Sequence, residues 1–97
     1  MKNKTQKKHP YINVGGSMVL DKAEVLGIFD LDTSSTKTDT KRYLASMEHS
    51  GHLEMIGNDI PKAFIITAKD SVREKVYMTT LSSASLYGRW RRQAKYL

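Results

Sequence analysis

Lys62-Ala63-Phe64-Ile65-Ile66-Thr67, then Val76-Tyr77-Met78-Thr79-Thr80-Leu81 beyond a polar Asp70-Ser71 turn region, then Ser82-Ser83-Ala84-Ser85-Leu86, set the architecture of this chain. The first two runs are rich in β-branched and aromatic residues, which suit a pleated, half-buried surface, and the polar break between them predicts a hairpin. The serines that follow offer hydroxyl oxygens to the first free amides of a helix, and Leu81 and Leu86 flank that cap at the spacing of a hydrophobic staple. A helix is therefore expected directly after the second strand. At about 100° per residue, Leu86, Tyr87, Trp90, Ala94 and Leu97 share one arc of it, and Arg89, Arg91, Arg92 and Lys95 occupy the rest. The cationic arc has two readings: a solvated face whose charges suit the negative end of the helix dipole, or a set of contacts to nucleic-acid phosphates.

Working upstream, Tyr11 to Val14 alternates, Gly15-Gly16 supplies positive φ angles for a two-residue turn, and Ser17 to Leu20 returns as a second, smaller hairpin. Asp21-Lys22-Ala23-Glu24 is polar. Val25 to Leu31 is nearly all apolar and too short for a helix, so it is expected as a strand buried on both faces at the centre of the sheet. Asp32 to Asp39 reads as a loop with several N-cap candidates. Tyr43, Leu44 and Met47 then recur at helical spacing, and Gly51 is placed to end that helix. Leu53-Glu54-Met55-Ile56 reads as a short strand and Gly57-Asn58-Asp59 as a turn leading through Ile60-Pro61 into the hairpin. The order β-β-β-α-β-β-β-α, with hairpins and short connections, indicates an α+β fold: a small, mainly antiparallel sheet with two helices.

Ninety-seven residues suit one domain with a modest core, for which an oligomer interface would add stability. The expected division is a basic flexible arm over residues 1–9 and a single domain over 10–97 that ends in the basic amphipathic helix. No apolar run approaches the roughly 20 residues of a membrane span, and no apolar segment follows the lysines of the arm as in a secretory signal, so a cytoplasmic location is expected. The formal charge of +6 is unevenly spread. Residues 1–8 hold four lysines and residues 89–97 hold Arg89, Arg91, Arg92 and Lys95, all without an acid, while the body between them carries eight basic and ten acidic side chains, a net of −2. A polyanionic partner would be drawn to the ends, or to cations gathered locally on an acidic body; a lysine-rich arm serves equally as a solubilising feature.

Chemistry of the catalytic or metal-binding kind finds little support. The absence of cysteine removes thiolate nucleophiles, disulfides and cysteine-based metal sites. Gly15-Gly16-Ser17 lacks the lysine and helix start of a phosphate loop and reads as a turn. Asp30 and Asp32 share a strand face, but acids at a strand end are commonplace, and His49 and His52 lack a third ligand at matching spacing. Neither an enzyme nor a cofactor is expected.

Four segments, Tyr11-Ile12-Asn13-Val14-Gly15-Gly16, Val25-Leu26-Gly27-Ile28-Phe29-Asp30-Leu31, Pro61-Lys62-Ala63-Phe64-Ile65-Ile66-Thr67 and Leu81-Ser82-Ser83-Ala84-Ser85-Leu86, occur in an order that resembles the extracellular matrix regulatory proteins. These are the small Rem proteins of spore-forming and related bacteria, and the chain is closer to the RemB branch than to RemA. The resemblance runs from Tyr11 to about Arg92. It implies an activator of extracellular-matrix (biofilm) genes that assembles as a ring and shows one basic edge repeatedly to bent DNA. In the RemA branch the turn before the third of these segments is rich in arginine and faces DNA; here it reads Gly57-Asn58-Asp59-Ile60-Pro61-Lys62, so only Lys62 keeps a cation and Asp59 brings the opposite charge. Lys22 falls where relatives often carry an arginine or lysine.

Lys22, Lys62, Arg89, Arg91 and Arg92 are thus the expected nucleic-acid-binding residues, contacting phosphates of double-stranded DNA from a homo-oligomer in which avidity offsets few contacts per copy. The rival expectation is a protein-interaction module of the same pathway that does not touch DNA, which suits the acidic body and the lost loop arginines.

Overall fold

The computed structural model describes residues 10–34, 37–70 and 72–92. The basic arm of residues 1–9, together with Ala94, Lys95 and Leu97 of the expected terminal helix, lies outside the described residues. The elements run β1 (Tyr11–Gly15), β2 (Met18–Asp21), a 3-10 turn (Lys22–Glu24), β3 (Val25–Asp30), α1 (Leu31–Ser34), α2 (Thr38–His49), β4 (Leu53–Ile56), β5 (Ala63–Lys69), β6 (Arg73–Thr79) and α3 (Ser83–Arg91). The fold is α+β, with β1 and β2 forming a two-stranded sheet and the others a four-stranded sheet of order β3-β5-β6-β4. Every pairing is antiparallel except β4 with β6, which are parallel because the chain reverses twice between them, once into β5 and once out of it. No helix among the described residues is long and apolar enough to cross a membrane.

The β5–β6 hairpin matches its sequence signals. Seven consecutive pairs, Ala63↔Thr79 through Lys69↔Arg73, hold it in register, and Asp70 turns it with a φ of 57°, a left-handed value that aspartate tolerates. Ala63, Ile65 and Thr67 point to one face, Phe64 and Ile66 to the other, as the two-residue period demands. One face joins Ala63, Ile65, Ile28 and Ile56 to Leu86 of α3 and to Ile12, Val14 and Leu20 of the β1–β2 hairpin. The other packs Phe64 and Val76 against Leu44 of α2, with Tyr43, Met47 and Leu53 around them. The four-stranded sheet is therefore the middle layer, covered by α2 on one side and by α3 with the small hairpin on the other.

β3 is not central. It forms an edge of the sheet, and only Ile28 of its apolar run is buried. A register shift between Val25 and Gly27 turns Leu26 out to 63% exposure, and Phe29, 37% exposed, lies on the α2 side stacked against Phe64 with ring centroids 5.1 Å apart. The reading as a strand buried twice fails because α2 rests over β6 and β4, leaving the β3 side of that face uncovered. The segment read as a loop also contains the single turn α1, and α2 starts at Lys37 without a side-chain cap despite the nearby threonines. Its other end follows expectation: Ser50 caps, and Gly51 takes a φ of 80°.

The small hairpin docks through backbone as well as side chains. Thr79 is fully buried and its hydroxyl donates to the Val14 carbonyl while accepting from the Leu81 amide. Gly15 permits the approach: its φ is 131°, and a Cβ there would stand 2.9 Å from the Thr79 hydroxyl oxygen. On the opposite face the Tyr43 phenol donates to Glu74 at 2.8 Å and ties α2 to β6. Partial burial, then the Glu74 hydrogen bond and charge, push the Tyr43 ionisation up to about 12 from the ordinary 10.0.

Two outcomes follow. Thr79→Val, which keeps the shape but leaves the Val14 carbonyl and Leu81 amide unpartnered, is expected to lower stability by about 1–3 kcal/mol in urea unfolding. In an alkaline titration followed by phenolate absorbance, one tyrosine is expected to titrate near 12 and to vanish from the curve in Tyr43→Phe. Because the folded-state value lies above the unfolded one, this phenol's contribution to stability is intact below pH 10 and declines as the pH rises from there through about 12.

Candidate nucleic-acid interface

α3 carries most of the expected cations, and its local chemistry fixes their directions. Ser82 is the N-cap, its hydroxyl oxygen accepting from the Ser85 amide at 3.1 Å, with Leu81 and the wholly buried Leu86 on either side as a staple requires. With Leu86 directed into the core, Trp90 one turn later is half-buried against the same cluster. Tyr87 is partly exposed, and its hydroxyl donates to the Ile28 carbonyl at 2.8 Å, on the edge strand.

The helix crosses the small hairpin, and this crossing draws two expected surface cations into the protein. Arg89 does not lie on the outer face. Its guanidinium reaches the Asn13 side-chain oxygen at 2.6 Å and the Asn13 carbonyl at 3.4 Å, because β1 runs under that turn of α3. Asn13 itself is held in place by the hairpin turn, accepting from the Gly15 amide and donating to the Gly16 carbonyl. Lys22, at the start of the 3-10 turn after β2, donates its ammonium to the Trp90 carbonyl at 2.7 Å and lies 5.5 Å from the centroid of the Trp90 ring. A cation at this carbonyl satisfies an acceptor that the helix end leaves open and complements the negative end of its dipole.

Arg91 and Arg92 are different. Both are exposed, and their guanidinium groups have no hydrogen-bond or ion-pair partner among the described residues. They close α3, where the Arg92 amide bonds back to the Arg89 carbonyl. Lys22, Arg89, Arg91 and Arg92 thus gather at one end of α3, two bound into the fold and two open to solvent. Lys62 stands apart. Its carbonyl accepts from the Leu31 amide just beyond the far end of β3, while Lys22 precedes the near end; a six-residue strand separates them by roughly 17 Å.

The sequence reading did not single out Asn13 as a partner of α3. Its signal was the Asn-Val-Gly-Gly string, where the side chain of an asparagine before a glycine turn bonds to the local backbone and is thereby oriented. It also missed an open groove of about 350 Å³ on the α2 side of the sheet, whose lining includes Phe29, Phe64, Ile66 and Tyr43 together with Lys37 and Asp39. No group of three or more metal-ligating side chains occurs among the described residues. No family model and no curated protein sequence matches the chain.

Replacing Lys22 by Met, which keeps the side-chain length without the charge, is expected to cost about 1 kcal/mol of stability and to red-shift Trp90 emission as the end of α3 loosens. An unchanged emission spectrum would show that the ammonium does not anchor the helix.

Proposed function

We propose that this chain is a homo-oligomeric DNA-associated regulator resembling the Rem activators of extracellular-matrix genes, and that it binds duplex DNA by phosphate contacts from the C-terminal end of α3. One observation carries the reading: Arg91 and Arg92 are exposed and unpaired among the described residues at the end of a helix whose neighbouring cations are bound into the protein. Exposed guanidinium groups without internal partners are suited to bidentate phosphate contacts, and nothing in their arrangement resembles a recognition helix. Lys22 and Arg89 act in this reading as positioning residues that hold α3 on the small hairpin. Lys62 is distant from the cluster and is given no phosphate contact.

A second reading, a protein-interaction module in the same pathway, draws on a separate observation. Several large apolar side chains are exposed, among them Leu26, Ile60 and Val72, on a body whose charge is slightly acidic. The two readings differ in their response to salt, since releasing counterions from phosphate makes affinity fall steeply with ionic strength.

Arg91→Ala with Arg92→Ala is expected to weaken binding to unrelated duplexes alike and to make the slope of log affinity against log salt shallower by roughly one to two units. Lys22→Met should leave that slope unchanged while weakening binding through displacement of the helix end. No duplex binding by the unmodified protein at low salt would transfer the assignment to the interaction module.

A further inference from the structure

Arg89 is fastened to the small hairpin by one nitrogen only. Its Nη1 donates to the Asn13 side-chain oxygen at 2.6 Å and to the Asn13 carbonyl at 3.4 Å, and the guanidinium makes no other bond among the described residues. Nη1 is the terminal nitrogen on the Cδ side of the group; Nη2 and Nε lie together on the other side and carry two parallel N–H bonds. That pair is the side of the fork that grips two oxygens of one phosphate. Both nitrogens reach solvent, since Arg89 is half-buried and no side-chain nitrogen of the described residues is buried without a partner.

The group that fixes this edge is neutral. Elsewhere Arg73 meets Asp70 and Lys75 meets Glu54, so a carboxylate opposes each of those charges. Asn13 leaves the Arg89 charge intact, and α3 itself contains no acid. The Asn13 amide is held with its oxygen towards the guanidinium, because that oxygen also accepts from the Gly15 amide at 3.1 Å while its nitrogen donates to the Gly16 carbonyl at 3.0 Å. The negative end of the helix dipole, which would repel an anion here, is met by the Lys22 ammonium on the Trp90 carbonyl.

We propose that Arg89, besides holding α3, is a pre-oriented bidentate receptor for one phosphate, and that Asn13 is the positioning residue that aims its Nη2–Nε edge. The inference rests on the duplex-binding reading and deepens it: the ligand is a phosphodiester of the duplex backbone. Arg91 and Arg92, exposed and without partners, are ordered only as they bind, whereas Arg89 is ordered beforehand, so its contact sets where the backbone lies against the end of α3. Asparagine suits this task better than aspartate, whose carboxylate would hold the same guanidinium and neutralise it.

Duplex affinity measured by fluorescence anisotropy across a salt series tests the assignment. Arg89→Gln, whose amide can still donate to Asn13, is expected to make the slope of log affinity against log salt shallower by about one unit per bound copy. Asn13→Asp is expected to do the same with Arg89 intact, and to leave Trp90 emission unchanged because the contact that anchors α3 survives. A purely structural Arg89 predicts the opposite for Asn13→Asp, a firmer anchor and an unaltered slope. In the Arg89→Gln background, Asn13→Asp is expected to change the slope no further. If Arg89→Gln fails to fold, Arg89→Lys takes its place; it keeps the charge without the fork, and is expected to lower affinity about tenfold at an unchanged slope. No duplex binding by the unmodified protein at low salt would overturn this inference and the duplex-binding reading together. Duplex binding whose slope Asn13→Asp leaves unaltered, a slope that Asn13→Asp lowers equally without Arg89, or an undiminished affinity in Arg89→Lys would overturn the Arg89 assignment alone.

Discussion

The hydrogen bond from the buried Thr79 hydroxyl to the Val14 carbonyl joins the two sheets of this protein, and the arrangement of the rest depends on it. A two-stranded hairpin of four- and five-residue strands is not stable alone in water. Ile12, Val14 and Leu20 supply apolar area, but apolar contact does not select one position along a sheet. A buried hydroxyl that donates to one particular carbonyl does, since sliding would break that bond. Gly15 belongs to the same constraint, because any side chain there would meet the hydroxyl that makes the bond.

Once the hairpin is fixed, it becomes the platform on which α3 ends. Lys22 and Asn13 both come from this hairpin or the turn leaving it, and they bond to the Trp90 carbonyl and the Arg89 guanidinium near the end of the helix. Without the hairpin the Trp90 carbonyl would lose the Lys22 ammonium, and a helix of nine residues is too short to hold its own end. The consequence for function is a sorting of like charges. Two cations are consumed in anchoring, which fixes the direction of the next two. Arginines on a frayed helix end lose conformational entropy when they bind; arginines on an anchored end have given up much of it on folding.

The parts legible in the sequence were those governed by local rules. The β5–β6 hairpin, the serine cap, the staple of Leu81 and Leu86, the end of α2 at Gly51 and the α+β class all follow from chemistry within a few residues of each position. What was not legible depended on neighbours distant in sequence. Val25 to Asp30 has the composition of a twice-buried strand, and its edge position follows from where α2 comes to rest, which no property of the strand encodes. Arg89 looked like part of a solvated arc because helical phase gives direction but not the presence of β1 beneath it. The two exposed arginines were legible because helical phase places them away from Leu86 and Trp90, and among the described residues no side chain bonds to them. Lys62 was grouped with them by family resemblance, and the strand between them is what separates it.

With two open arginines per copy, the duplex binding proposed above would depend on the number of copies acting together. Two phosphate contacts give a salt slope of about −1.8, so raising salt fourfold from 50 to 200 mM weakens one protomer about twelvefold. Four copies on one duplex would multiply the contacts to about eight, and the same change would then weaken binding by about four orders of magnitude. Such binding would be gated by assembly: below the concentration at which copies associate, each would be a weak, salt-tolerant ligand, and above it the linked arginines would act at high effective concentration. The acidic body sharpens this behaviour, since it repels the duplex wherever the anchored helix ends do not face it. Under the proposed reading, a regulator of this kind would respond to its own abundance through contacts between copies, with no change at the arginines themselves.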